Sequence, residues 1–178
     1  MKGLLKNFVA ISALSSLAVM PLFLNAGEAA ASPRKGTDAS YIGAGFSAGV
    51  TNGGQDGDAA TFGGNIHGRL KLGNTPFSAR GQINFSDETS AIIPHVTVDV
   101  PIGGRTNAFV GAGYQFVEKD GRPTPSGNKD SVAVVAGVES QVSNNVLLYS
   151  NVTSGINAYR NSSASSVSIN GGVGFKFR

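Results

Sequence analysis

The sequence predicts an all-β protein, an eight-stranded antiparallel up-and-down barrel that crosses a membrane and is preceded by a cleavable signal peptide. Three observations predict it. Apolar residues recur at every second position through eight successive segments, the period of a strand and not of a helix. The opposite row in each segment is built of Gly, Ser, Asn, Thr and a few charges, not the Lys and Glu that coat a soluble barrel. The connections between segments alternate between longer and tight, as they do when one end of a barrel faces the cell exterior and the other the periplasm.

The chain opens with a short basic stretch, Lys2 and Lys6, followed by an apolar run from Phe8 to Leu24 that serines and Pro21 interrupt. At seventeen interrupted residues the run sits at the bottom of the spanning range, and no stop-transfer charge cluster follows it closely. Ala29-Ala30-Ala31 before Ser32 fits a small-residue cleavage pattern, with Leu24-Asn25-Ala26 a second candidate site, so residues 1–31 read as a secretory signal peptide. Residues 32–39 are polar and read as a loose N-terminal tail. The barrel domain takes 40–178.

The eight apolar rows run from Ile42 to Val50, Ala60 to Leu72, Phe77 to Phe85, Ile92 to Ile102, Ala108 to Phe116, Val132 to Val142, Val146 to Ile156 and Val167 to Phe177. No position in these rows is charged. Two barrels share such a pattern. In a soluble one the apolar row faces inward; in a membrane one it faces lipid and small polar residues fill the bore. The polar rows here, such as Asn65, His67, Arg69, Lys71 and Ser78, Arg80, Gln82, Asn84, favour the second. Phe62, Phe85 and Phe116 at one end and Phe77, Phe175 and Phe177 at the other form two partial aromatic girdles. Pro94 falls inside the fourth segment, where a closed sheet has no free edge to hold it, and predicts a bulge or a strand that begins pairing only after it.

Connections 52–58, 86–89, 118–130 and 157–165 are expected outside, and the tight ones at 73–76, 103–106 and 143–145 inside; 86–89 is short for an external loop. The external set carries seven acids (Asp56, Asp58, Asp87, Glu88, Glu118, Asp120, Asp130) and four bases (Lys119, Arg122, Lys129, Arg160).

Composition limits the chemistry. Charged residues are 14% of the chain, below the roughly 25% usual in soluble domains. With no cysteine there is no disulfide framework and no thiolate site. A net charge of +3 without basic runs gives no nucleic-acid footprint. Asp56-Gly57-Asp58 lacks calcium-loop spacing. His67 and His95 are the only histidines, no G-x-S-x-G elbow occurs, and no nucleophile can be placed beside them, so no catalytic, cofactor or metal residue is assigned.

What remains is the lumen. Arg69, Arg80, Asp99, Glu139 and Lys176 each lie a few residues from the periplasmic end of an inward row. If the turn at 73–76 sets register, Arg69 stands opposite Arg80, a costly pair unless acids reach it. Asp99 and Glu139 are the acids available across a narrow bore, which predicts an ion network plugging the periplasmic half. Separately solvated charges in a wet lumen are the alternative.

The closing residues Gly171-Gly172-Val173-Gly174-Phe175-Lys176-Phe177, with Ile42-Gly43-Ala44-Gly45-Phe46 and Val110-Gly111-Ala112-Gly113-Tyr114-Gln115-Phe116, resemble the strands of small bacterial outer-membrane barrels of the OmpA/OmpX/opacity type. The resemblance covers about 41–178. It implies export to the outer membrane, contact with outer-membrane lipid, handling by periplasmic chaperones and the barrel-assembly machinery, and a C-terminal insertion signal at Phe175 and Phe177. Arg178 departs from the pattern, which ends on the aromatic. A structural or surface-interacting role through loops 118–130 and 157–165 follows first, a narrow porin-like channel second and a lipid-modifying enzyme third.

Overall fold

The computed structural model describes residues 36–53 and 61–177. Residues 1–31, read above as a signal peptide, and residues 32–35, Asp56, Asp58 and Arg178 lie outside these residues. Eight strands follow one another: β1 Tyr41–Gly49, β2 Phe62–Lys71, β3 Phe77–Phe85, β4 Ser90–Pro101, β5 Thr106–Val117, β6 Ser131–Gln141, β7 Val146–Ile156 and β8 Ser166–Lys176. Each pairs antiparallel with the next, and β1 pairs with β8 to close the barrel. The alternating rows thus mark the strands to within two residues, and the third and seventh match at both ends.

The faces divide as the rows do. Most Val, Ile, Leu and Phe point outward, with Phe62 71% exposed and Val134 41%, while Asn65, His67, Arg69, Gln82 and Glu139 are enclosed together with a few apolar side chains from the inward rows, Ile93, Phe109, Val135 and Leu147. Period two makes this division all or nothing, because a slip of one residue would turn every polar side chain outward. The six girdle phenylalanines are all exposed on the outer face.

Register fixes the shape. Following pairs around the ring from Thr106 gives Ser140, Leu148, Val173, Ala44, Ile66, Ile83 and Ile92, and returns to β5 at Phe116, ten residues further along. Ten residues at about 3.3 Å against eight strand spacings of about 4.8 Å tilt the strands by about 40° to the axis. A barrel of this size has a bore just wide enough to fill with side chains.

Pro94 does not behave as the sequence predicts. The β4–β5 register is the same on both sides of it, with Ile92 opposite Phe116 and His95 opposite Gly113, so no bulge is inserted. Pairing with β3 runs straight through, Pro94 facing Gly81. The missing N–H therefore removes bonding only toward β5, and one interrupted step is tolerated where flanking pairs hold register.

The N-terminal residues also differ from expectation. The described part of the expected tail, residues 36–39, is not loose: Thr37 and Ala39, with Ser40 after them, are buried in the barrel end that carries the tight turns. Gly36 N donates to Gly104 O (3.2 Å), Thr37 N to Asn107 Oδ1 (3.1 Å) and Phe177 N to Ser40 O (3.1 Å). A polar segment suits this place because the lumen it enters is polar.

The β1–β8 seam is lined on its inner face by Gly43, Gly45, Gly172 and Gly174. Tyr149 and Tyr41 lie across the space these glycines leave: a Cβ on Gly43 would fall 2.7 Å from the Tyr149 ring, and one on Gly174 2.7 Å from Tyr41. With Leu147 and Ala39 these tyrosines form a small apolar cluster at the turn end.

Candidate functional site

The lumen is filled in layers, starting from the turn end. The tight β2–β3 turn, with Gly73 in the left-handed region at φ 59°, sets Arg69 directly opposite Arg80. Asp99 from β4 and Glu139 from β6 neutralise them. Arg69 Nη2 meets Asp99 Oδ2 at 2.7 Å and Nη1 meets Glu139 Oε1 at 2.7 Å; Arg80 Nη2 meets Asp99 Oδ1 at 2.8 Å and Nη1 meets Glu139 Oε2 at 2.9 Å. Each arginine thus bridges both acids, and the formal charge of the quartet is zero.

The remaining donors and lone pairs are also used. Arg69 Nε donates to Ser78 Oγ (3.0 Å) and Nη1 to the Thr37 and Ala39 carbonyls (3.1 and 3.2 Å). Arg80 Nε donates to Thr97 Oγ1 (2.9 Å), and its guanidinium lies 3.9 Å from the Phe109 ring centre. Glu139 accepts from the Tyr41 hydroxyl (3.0 Å) and Asn107 Nδ2 (3.1 Å), and Asp99 from the Ser78 hydroxyl and from Thr97 Oγ1 (3.1 Å). Buried charge is tolerable only under such complete pairing. Lys176 joins none of these ion pairs. It is half-buried at the rim, where its backbone N donates to Asn145 O (2.9 Å). The N-terminal segment, which sequence reasoning set aside, supplies two of the acceptors.

Above the quartet lies an aromatic layer. His67 meets Tyr149 edge-on at 4.9 Å between ring centres and lies 6.0 Å from the near-parallel His95 ring. Neither nitrogen of His67 has a hydrogen-bond partner among the described residues, nor do His95 Nε2, Gln82 Oε1 and Asn151 Nδ2. Enclosed polar atoms of this kind are where internal waters bind. Next come amides: Asn65 Nδ2 donates to Asn84 Oδ1 (2.6 Å), Gln82 Nε2 to Thr153 Oγ1 (3.1 Å) and Asn170 Nδ2 to Asn151 Oδ1 (2.8 Å).

The top layer comes from a loop. Residues 124–128, the tip of the connection expected to reach outward, fold down into the barrel mouth and are buried. Thr124 and Gly127 pair backbone to backbone at 2.9 and 3.1 Å in a tight reversal that Gly127, at φ 114°, permits. Asn84 Nδ2 donates to Ser126 Oγ (2.6 Å), Gln115 Nε2 to Ser126 O (3.1 Å), and Ser126 Oγ lies 3.3 Å from Ser168 Oγ. Only the shoulders of this connection remain outside, with Arg122 paired to Glu88 at 2.9 Å and Asp120 to Arg160. From the connection at 157–165, Tyr159 turns inward; burial raises its phenol above the usual value, and its hydroxyl donates to Thr51 O.

No family model and no curated protein matches the sequence. Solved structures do. The attachment invasion locus protein Ail of Yersinia pestis aligns at a TM-score of 0.52 with 16% identity, over 79% of this chain and all of Ail. Ail in complex with the heparin analogue sucrose octasulfate gives the same TM-score and identity over 78% of this chain and 97% of that one. A chain from the de novo design of transmembrane β-barrels aligns at 0.52 with 12% identity, over 81% of this chain and all of the design. The fold is that of a small transmembrane β-barrel. In that fold the valine-and-phenylalanine stripe meets hydrocarbon. Val134→Arg, which sets a charge on the stripe, is expected to cost about 2–4 kcal/mol near mid-bilayer, read as a lower urea midpoint for the refolded protein in lipid.

Proposed function

We propose that this chain is an integral outer-membrane protein with a closed lumen that acts through its external loops, in a structural or surface-interacting role. The observation that carries the reading is the filling of the bore from end to end. The N-terminal segment and the ion quartet close the turn end, and the inward loop tip closes the other. The exposed chemistry then lies on the loops. The end with tight turns and both termini faces the periplasm, and the long loops face outward. Ail, which shares the fold, is an attachment invasion locus protein, and this supports a surface role for a barrel of this shape.

In this reading the leader at residues 1–31 directs export. Phe175 and Phe177, both on the outer face at the periplasmic rim, serve as the closing aromatic signal to the assembly machinery and its chaperones. Residues 118–123, 129–130 and 160–165 are the contact surface, and the loop tip is not part of it. His67 and His95, the histidines that the enzyme alternative would use, are buried in the lumen between the quartet and the inward loop tip.

The discriminating experiment pairs bilayer recording with adhesion. Refolded protein is expected to be electrically silent in planar bilayers, and cells displaying it are expected to bind surfaces better than cells without it. Steady conductance without any gain in binding would favour the narrow channel instead.

A further inference from the structure

We infer that a groove on the outer face of β1, β2 and β3 seats one acyl chain of an anionic phospholipid, with the lipid phosphate at the Lys176 ammonium. The seat rests on the reading of the turn end as the periplasmic face, and adds a lipid partner to the loop-borne role. The groove has a volume of about 360 Å³ and is lined by Ile42, Gly68, Leu70, Ala79, Gly81 and Phe177 among others. Ile42, Leu70 and Phe177 stand exposed as its walls.

The floor carries the argument. Register sets Gly68 directly opposite Gly81, between Ile42 on β1 and Pro94 on β4. At the β1–β8 seam, backbone or a tyrosine ring occupies the space that a Cβ would need. The pair on the outer face is different. Nothing comes within 4 Å of a Cβ on Gly81, and only the Tyr41 carbonyl, at 3.8 Å, meets one on Gly68. A glycine inside a strand weakens the sheet, and marks a bulge, a bend or the close approach of a ligand or another backbone. Pairing runs unbroken on both sides of Gly81, so no bulge accounts for it. The two glycines leave a floor flush with the sheet, bounded by Ile66 and Ile83 toward the loops and by Leu70 and Ala79 toward the turns.

Depth and charge select the occupant. Gly68 lies three residues from Lys71 at the end of β2, about 10 Å along the strand. Half of a hydrocarbon core is about 15 Å deep, so one chain from the periplasmic leaflet reaches the whole groove. At its turn-end mouth, Lys176 precedes Phe177 and pairs with Tyr41 across the β1–β8 ladder. Among the described residues the Lys176 ammonium forms no ion pair, whereas Lys71 meets Asp38 at 3.1 Å. A long apolar stem lets such a lysine keep its charge at the membrane rim. A lipid phosphate there meets a cation not already committed. A second copy of the chain is a poor fit: the groove is nine residues wide in all, against about 20–30 a side in a stable interface.

The test refolds the full mature chain into vesicles of equal phosphatidylglycerol and phosphatidylethanolamine. The protein is extracted in mild non-ionic detergent, and the lipid it retains is weighed on the intact complex. A single phosphatidylglycerol is expected to remain on each barrel, in clear excess over phosphatidylethanolamine. Gly81→Leu, which fills the floor where a Cβ meets nothing, should lose the lipid. Lys176→Gln should lose the preference for the anionic headgroup, and is the deciding variant if Gly81→Leu does not fold, folding being read from compact gel mobility without boiling. No retained lipid, equal retention of the two lipids, retention unchanged in the folded variants, or paired chains in place of lipid would each overturn the assignment. A silent, adhesive barrel that retains no lipid would remove the seat and leave the surface role standing. A lipid-bearing barrel without adhesion would do the reverse.

Discussion

Glu139→Gln is expected to lower the unfolding free energy by about 3–5 kcal/mol, the usual cost of removing one partner from a buried ion pair. The substitution keeps the shape of the side chain and removes one charge. Arg69 and Arg80 then face Asp99 alone, with a surplus positive charge in a bore where both guanidiniums are fully enclosed. The loss is read from the urea midpoint of refolded protein in micelles. A second substitution separates charge from packing: Arg80→Gln added to Glu139→Gln restores neutrality, so the double variant should recover much of the deficit. A double variant as unstable as the sum of its singles would mean that the four charges act independently.

Gly45→Val is expected to cost at least about 3 kcal/mol, at or beyond the upper end of ordinary overpacking, and to leave much of the protein unable to form a compact barrel. The reason is local to the seam. A Cβ at position 45 would overlap the Gly171 carbonyl and stand 2.5 Å from Gly172 Cα. Both are backbone atoms of β8, so no rotamer change makes room. Gly81→Val is the control. Gly81 also lies in mid-strand, yet nothing comes within 4 Å of where its Cβ would stand. It should fold with normal heat-modifiable mobility, while Gly45→Val should not.

The sheet was legible in the sequence because one physical variable, which face meets hydrocarbon, writes itself into every second residue from Ile42 to Phe177. The four members of the quartet were legible for a related reason: a tight turn transmits register, so the turn at 73–76 sets Arg69 against Arg80, and Asp99 and Glu139 are the acids on inward rows that can reach the pair across the bore. Lys176 could not be judged this way. Its environment depends on where the barrel rim falls, which the shear of the whole sheet decides and no single turn encodes. The two plugs were hidden by their composition. Pro123-Thr124-Pro125-Ser126-Gly127-Asn128 has the residues of an exposed turn, and residues 36–39 those of a solvated tail. In a soluble protein that inference is sound, since polar segments stay in water. Here the interior is itself polar, so the same side chains find Asn84, Gln115 and Arg69 as partners inside. Pro94 was misjudged because its missing donor was treated as a fault across both neighbours, whereas a strand residue bonds to one neighbour at a time.

The quartet also selects among alternative closures of the same sheet. A ladder that slides by two residues keeps every apolar side chain outward, so the greasy stripe is blind to the error. The four charges are not: sliding by two carries one member about 6.6 Å along its strand, beyond the reach of contacts now at 2.7 to 2.9 Å. Because its members come from β2, β3, β4 and, across the bore, β6, a mispaired barrel keeps unneutralised guanidinium in its interior. The charged layer thus works as a combination lock on strand alignment, opening the stable state only to the sheet whose shear is ten.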